Sequence, residues 1–170
     1  MLSAYDAAYE LRFVALRYFN AAGATAACKE KHDPETHLIP LAIAAAKGEI
    51  PELLLFGDDY PTPDGTAVRD YIHVHDLARA HILAVSHLEK GGTSEFINLG
   101  NGDGYSVREV IDVVSRVVGR EVPVRIAPRR AGDPSQLIAN ASYAKAVLGW
   151  QPEIPDLESI VRSAWERIEN

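Results

Sequence analysis

Apolar and polar residues along this chain alternate with the spacing of helices and strands. Leu2, Tyr5 and Tyr9 recur at i, i+3 and i+7, which predicts a helix over residues 1–10. Residues 13–19 form a nearly continuous apolar run, which is typical of a buried parallel strand. No capping residue precedes the first helix, so we expect the chain to begin inside a helix as a piece of a longer protein. The alternative is a frayed natural terminus.

Further helices are predicted where helical spacing coincides with start and stop signals. Ser106 and Glu109 have the spacing of a capping box, and Gly48, Gly119 and Gly149 stand where helices end. The predicted ranges, with the capping residue where one is present, are 36–47 (Thr36), 77–88 (Asp76), 106–118 (Ser106), 142–148 and 156–168 (Asp156).

Short apolar runs between these helices predict strands over residues 71–74, 96–99 and 122–126. Residues 20–23 are expected to form a loop after the first strand. Residues 57–65 contain two glycines and two prolines, which is turn chemistry. Alternating strands and helices indicate an α/β fold with a mostly parallel sheet.

Composition narrows the class of protein. The chain has 170 residues, 47% of them hydrophobic and 24% charged, so it can bury a core. Its net charge of −7 argues against general binding of nucleic acid or membrane surfaces. The single cysteine, Cys28, cannot form an intrachain disulfide and lacks an obvious activating group. With no long apolar run, we expect a soluble, cytoplasmic protein.

Three sequence features carry candidate chemistry. Arg69 follows the turn-rich loop and can hold a phosphate bidentately, or it can pair with Asp70 or Asp64. The glycines at positions 100, 102 and 104 depart from the dinucleotide fingerprint, which favours a plain turn. His73 and His75 lack a third ligand at matching spacing, so no metal site is expected.

The motifs together resemble a known enzyme family. FGDDYPTPDGTAVRDYIHVHDLARAH (56–81), with LRYFNAAG (16–23) before it and PRRAGD (128–133) after it, resembles UDP-glucose 4-epimerases of the extended short-chain dehydrogenase/reductase superfamily. The resemblance covers essentially the whole chain but only the C-terminal half of such an enzyme. It implies the C-terminal part of a Rossmann-type parallel sheet interleaved with a small substrate-binding domain. Residues 1–24 and 69–100 would belong to the NAD-binding domain, and residues 25–68 and 101–170 to the nucleotide-sugar domain.

The resemblance also implies a reaction. The parent enzyme would oxidise the sugar C4 hydroxyl with bound NAD, rotate the 4-keto sugar and reduce it again. The family's catalytic Tyr-x-x-x-Lys pair and NAD phosphate loop are absent from these residues. We therefore expect this portion to grip UDP, to be inactive without the N-terminal half, and to form a homodimer in the parent. The alternatives are another nucleotide-sugar epimerase or dehydratase, and a non-catalytic nucleotide-sugar binding module.

Site residues are carried over from the family motifs. Phe19 would lie against the nicotinamide of NAD, with core packing as its alternative. Arg69 and Arg130 would bind the diphosphate, Asp133 would bind a ribose or uridine hydroxyl, and Leu137 would border the C2 substituent of the sugar. Leu137 could instead point into the core. The substrate-binding set is Asn20, His37, Leu38, Leu54, Leu55, Phe56, Arg69, Arg130, Asp133 and Leu137.

Overall fold

The structure, a computed structural model, describes residues 1–26 and 32–169. Cys28 lies outside the described residues. The helices are α1 (Leu2–Tyr9), α2 (Leu38–Lys47), α3 (Val74–Glu89), α4 (Val107–Val118), α5 (Ser142–Leu148) and α6 (Leu157–Glu169). The strands are β1 (Val14–Tyr18), β2 (Asn20–Ala22), β3 (Leu53–Phe56), β4 (Val68–Arg69), β5 (Tyr71–His73), β6 (Glu95–Leu99), β7 (Tyr105–Ser106), β8 (Val124–Ala127) and β9 (Gln136–Leu137).

The strands pair mostly in parallel, which confirms the predicted α/β class. β1 pairs with β6, β2 with β5, and β3 with β8, each in parallel. β4 lies between β7, which is antiparallel to it, and β9, which is parallel. Parallel strands present their carboxyl ends at the same edge of a sheet, so the loops that follow them lie together.

Buried side chains form two cores. The first joins one face of β3 to α2, α4 and α6, and the second joins β5 and β6 to α3 and α5. The first contains Ile39, Ala42, Ile43, Leu53, Leu55, Val110, Val114, Ile160 and Val161. The second contains Ile72, Leu77, Ala80, Ala84, Ile97, Leu99, Ala144, Leu148 and Trp150.

Several predicted boundaries need correction. Residues 20–22 form strand β2, because they pair with β5, and not a loop. The N-cap of α2 is His37 in place of Thr36. Helix α3 begins at Val74, because the Nδ1 atom of His73 accepts the amide of His75 and caps the helix early. Asp76 therefore lies inside the first turn.

Other end signals are confirmed. Ser106 and Glu109 form both hydrogen bonds of the capping box. The side chain of Asp156 accepts the amide of Ser159 at 2.7 Å, as a helix cap does. Strands β3, β4, β7 and β9 were not predicted, and the last three have only two residues each, too few for a periodic signal. In the described part of the chain, no helix is long and apolar enough to cross a membrane.

Candidate functional site

Two loops leave the carboxyl ends of β3 and β8 side by side. Phe56 and Ala127 are in register, and the amide of Gly57 donates to the Ala127 carbonyl at 2.8 Å. Gly57 has a φ of 82°, and a Cβ there would lie 2.6 Å from Arg129 and 2.8 Å from Tyr60. Glycine is therefore required for the loops 57–65 and 128–133 to pack this closely.

The two neighbouring arginines of the second loop have different environments. Arg129 pairs with Asp59 at 2.5 Å, and its guanidinium lies 4.2 Å from the ring centre of Tyr60, so it ties the two loops together. Arg130 is exposed, and its guanidinium lies 4.1 Å from the ring centre of Phe56. Within residues 1–26 and 32–169, no carboxylate pairs with Arg130. Its N–H donors are therefore available to an anionic ligand.

Arg69 is anchored by the carboxylate of Asp133, which belongs to the loop 128–133. Its Nη2 lies 2.5 Å from Oδ1 of Asp133, and its Nη1 donates to the Val68 carbonyl at 2.7 Å. The side chain of Arg69 is only 13% exposed. Its ion-pair partner is thus Asp133, and neither of the two aspartates considered from local sequence. This pair brings Arg69 beside the loop that carries Arg130.

Asp64, one of those two alternatives, serves a different purpose. Its carboxylate accepts the hydroxyl of Ser106 at 2.5 Å and both the amide and the hydroxyl of Thr66 at 2.8 Å. Burial raises the pKa of Asp64, but these hydrogen bonds outweigh it and hold that pKa below its ordinary value. Asp64 therefore fixes the turn-rich loop to the start of α4.

Leu137 lies directly opposite Arg69. The parallel pairing of β4 and β9 puts these two residues in register, and the amide of Asp70 donates to the Leu137 carbonyl at 3.1 Å. The side chain of Leu137 is 36% exposed, so it does not belong to the core. An exposed apolar residue is thus the strand partner of Arg69.

Phe19 and Asn20 occupy the junction of β1 and β2. Phe19 is 37% exposed, so the core-packing alternative does not hold. Asn20 donates its Nδ2 to the Asp70 carbonyl at 2.8 Å, which leaves its own Oδ1 to accept from a ligand. Asp70 follows Arg69, so this hydrogen bond places Asn20 in the same region as the arginine.

The remaining predicted site residues differ in how much of each side chain is exposed to solvent. Leu54 is 37% exposed, whereas Leu55 is 1% exposed and belongs to the first core. Because side chains alternate along a strand, Leu55 can offer a ligand only its backbone. Leu38 packs against the same core. The exposed ring of His37 hydrogen-bonds to Glu35 at 2.7 Å, a contact that involves neither arginine.

The glycine-rich turn after β6 is not a phosphate loop. The amides of Asn101 and Gly102 donate to the carboxylate of Asp70 and are not open to a ligand. This agrees with the plain turn favoured by the sequence.

One group of possible metal ligands occurs among the described residues: His75, Asp76 and Glu153, whose ligand atoms all lie within 4.8 Å of one another. Asp76 already accepts the amides of Glu153 and Ile154, at 2.8 and 3.0 Å. The guanidinium of Arg79 pairs with both carboxylates, so protein donors already occupy the oxygens that a metal would need.

Asp70 is the residue that the sequence analysis missed. Sequence suggested it only as an ion-pair partner for its neighbour, whereas its carboxylate accepts three backbone amides. The sequence signal for this contact is the set of glycines at positions 100, 102 and 104. A loop whose backbone surrounds a buried carboxylate must approach it closely, and glycine allows this approach.

Parallel strand pairs packed against helices, with polar and aromatic groups near the carboxyl ends of β1, β3 and β8, are typical of the α/β class of protein whose ligands bind at that edge. Residues 1–100 match the model of the NAD dependent epimerase/dehydratase family, and the chain belongs to this family.

Relatives within the family are more specific. A UDP-glucose 4-epimerase of Halalkalibacterium halodurans is 54% identical over 160 residues, which cover 93% of this chain and 48% of that protein. The crystal structure of UDP-glucose 4-epimerase from Brucella ovis in complex with NAD is 54% identical, with a TM-score of 0.93 over 98% of this chain and 52% of that one. The Bifidobacterium longum enzyme, in complex with NAD+ and UDP, is 37% identical with a TM-score of 0.89 over 98% of this chain and 50% of that one. The chain spans about half the length of these relatives.

Proposed function

We propose that this chain is the UDP-sugar-binding portion of a UDP-glucose 4-epimerase. The observation that carries the proposal is the continuous arrangement of Phe56, Arg130, Asp133, Arg69 and Leu137. It offers a half-buried aromatic ring, an exposed aliphatic side chain, two guanidinium groups and a carboxylate within one region. These groups match the chemistry of a UDP-sugar, which has a flat base, two phosphates, ribose hydroxyls and a sugar ring.

The two arginines have complementary roles in holding the diphosphate. Asp133 keeps the guanidinium of Arg69 oriented before the ligand arrives, which lowers the entropy cost of binding. The guanidinium of Arg130 lies 4.1 Å from the ring centre of Phe56, within the range of a cation–π contact, and among the described residues no carboxylate pairs with it. In a chain of net charge −7, Arg130 thus offers a diphosphate a cation that no described carboxylate neutralises.

The sugar end of the site lies toward Asn20 and Leu137. Asn20 offers an acceptor to a sugar hydroxyl, and Leu137 provides an apolar wall without a hydroxyl of its own. The exposed ring of Phe19 fits a flat group packed against it, as the nicotinamide of NAD would be. NAD, when bound, would supply the hydride chemistry, while these residues orient the sugar and exclude water around it.

The two cores support the proposed division into domains. Residues 1–24 and 69–100 contribute most of the second core, and residues 25–68 and 101–170 contribute most of the first. Residues 141–150 pack on the second core, so this short segment of the nucleotide-sugar portion attaches it to the NAD-binding portion. We propose that a further polypeptide portion supplies the phosphate loop and the catalytic Tyr-x-x-x-Lys pair.

Isothermal calorimetry with UDP and UMP tests the proposal. Two arginines at a diphosphate predict that UDP binds more tightly than UMP by roughly tenfold or more, since each charge-assisted hydrogen bond contributes about 1.5–3 kcal/mol. When Arg69 or Arg130 is replaced by alanine, Arg125→Ala is the matched control, because this exposed arginine pairs with Glu52. Equal affinities for UDP and UMP, or no binding of either, would overturn the proposal.

A further inference from the structure

Asp70 is a buried carboxylate in the middle of the candidate site. It is 1% exposed, and its only charged neighbour in sequence, Arg69, pairs elsewhere. Its Oδ1 accepts the amide of Asn101 at 3.0 Å, and its Oδ2 accepts the amides of Gly102 and Ala139, each at 3.1 Å. Three backbone donors therefore compensate the cost of removing this charge from water.

These donors belong to two separate segments of the chain. Asn101 and Gly102 follow β6, whereas Ala139 follows β9, two residues beyond Leu137. A Cβ at position 100 would lie 2.4 Å from Oδ2 of Asp70, so the loop closes around the carboxylate only because Gly100 has no side chain. The carboxylate thus joins the end of β6 to the end of β9.

The backbone of Asp70 extends the same network to the ligand-facing residues. Its amide donates to the Leu137 carbonyl at 3.1 Å, and its carbonyl accepts Nδ2 of Asn20 at 2.8 Å. Asn20 and Leu137 come from segments more than a hundred positions apart in sequence. One residue, adjacent to Arg69, therefore contacts both.

We propose that Asp70 is a positioning residue for the sugar end of the UDP-sugar site. It holds the segments of Asn20 and Leu137 at a fixed separation on either side of Arg69, without touching the substrate. This inference rests on the proposed function and adds to it a determinant of how the sugar is held.

Asp70→Asn isolates this role, because it keeps the size of the side chain and replaces one acceptor oxygen by an NH2 group. If the asparagine oxygen takes the place of Oδ2, it still accepts the hydrogen bonds from the amides of Gly102 and Ala139. The NH2 group then faces the amide of Asn101, and the hydrogen bond between them is lost because both groups are donors. We expect hydrogen exchange to accelerate at Asn101 by roughly tenfold or more and to change less at Gly102 and Ala139.

Asp76→Asn is the matched control. Asp76 is 0% exposed and also accepts two backbone amides, those of Glu153 and Ile154, but none of the proposed ligand-binding residues is among its partners. Calorimetry on the wild-type chain and both variants should show that Asp70→Asn weakens UDP-glucose binding by about tenfold, and Asp76→Asn by less than about twofold.

The outcomes separate this inference from the proposed function. Failure of the wild-type chain to bind UDP-glucose would overturn the proposed function itself. Normal binding by Asp70→Asn despite fast exchange at Asn101 would overturn the positioning role alone, as would an equal loss in both variants.

If Asp70→Asn does not fold, Gly100→Ala provides the same test while leaving the carboxylate and its three donors in the chain. The added methyl group must displace Oδ2 of Asp70 or Cβ of Ala139, which would lie 2.4 and 2.5 Å away. Weaker UDP-glucose binding by folded Gly100→Ala would support the positioning role, and unchanged binding would overturn it.

Discussion

Arg69 and Arg130 have the same side chain, but their neighbouring residues give them different contacts. Arg69 is largely buried and held by Asp133, whereas Arg130 is exposed and its guanidinium lies 4.1 Å from the ring centre of Phe56. Removing Arg69 leaves a partly buried carboxylate without its partner, which costs stability. Removing Arg130 leaves no such group behind.

We therefore predict that Arg69→Ala and Arg130→Ala both weaken UDP binding, by roughly 1.5–3 kcal/mol or one to two decades in affinity. Only Arg69→Ala should also lower the free energy of unfolding. Calorimetry with UDP and urea denaturation measure the two effects, with Arg125→Ala as the control. Unchanged UDP affinity in both variants would show that neither arginine binds the diphosphate.

Leu137 is expected to decide which sugars fit. Its exposed side chain lies opposite Arg69 and lacks the bulk of a phenol ring, so we predict that the site accepts N-acetylated as well as plain UDP-sugars. Leu137→Tyr should weaken UDP-N-acetylglucosamine binding by about tenfold relative to UDP-glucose, because overfilling a packed site costs about 1–3 kcal/mol.

The control for this substitution is Ile138→Tyr, at the next residue, which is similarly exposed at 43%. Calorimetry with both sugars gives the ratio of affinities. An equal loss of both would indicate general misfolding, and an unchanged ratio would show that Leu137 is not the determinant.

At the scale of the element, the start of α3 depends on a neutral histidine. His73 is 2% exposed, and its Nδ1 accepts the amide of His75 at 3.0 Å, so its proton resides on Nε2. Nε2 then donates to Oγ of Ser163 in α6 at 3.0 Å, and that Oγ also accepts the amide of Ala24 at 3.1 Å. One uncharged ring therefore joins β5, α3, α6 and the end of β2.

This network predicts a loss of stability in mild acid. Burial lowers the pKa of His73, Asp76 raises it and His75 lowers it, and the result lies below the ordinary value of 6.5. The unfolded chain therefore binds more protons as the pH falls below 6.5, so the free energy of unfolding should fall by at most about 1.4 kcal/mol per pH unit until the folded-state pKa is reached.

Urea denaturation between about pH 7.5 and pH 5 measures this dependence. His73→Asn should reduce the slope, because asparagine caps a helix without titrating in this range. His81→Gln removes another histidine, at an exposed position of the same helix, and is the control for loss of a histidine as such. Identical slopes for His73→Asn and the wild-type chain would rule out His73 as the cause.

The same element shows what sequence can and cannot predict. The sequence predicted a helix over residues 77–88, which covers most of α3, because signals for its start and its end flank that range. Its start was placed too late, since Asp76 has the usual capping chemistry while His73 caps only through a particular ring orientation. In the site, the ion pair between Arg69 and Asp133 joins residues that are 64 positions apart, and no local pattern signals it.

At the scale of the whole molecule, the proposed role of the described residues is to bind a UDP-sugar without supplying the Tyr-x-x-x-Lys pair. The sequence has seven tyrosines, and none is followed by lysine at the fourth position. In such a pair, the lysine lowers the pKa of the phenol for general base catalysis. The highly buried hydroxyl of Tyr71 illustrates the opposite situation, because burial raises its pKa far above the ordinary value.

We therefore predict that the purified 170-residue chain binds UDP-galactose but does not convert it, even with added NAD. Proton NMR of the sugar ring, followed over a day, distinguishes UDP-galactose from UDP-glucose in the same tube. The full-length Brucella ovis enzyme serves as the positive control, and a sample without protein gives the background. Appearance of UDP-glucose above that background would contradict the assignment of this chain as a binding portion. It would require a proton acceptor elsewhere in these residues, for which the exposed Tyr5 and Tyr9 of α1 would be the first side chains to replace.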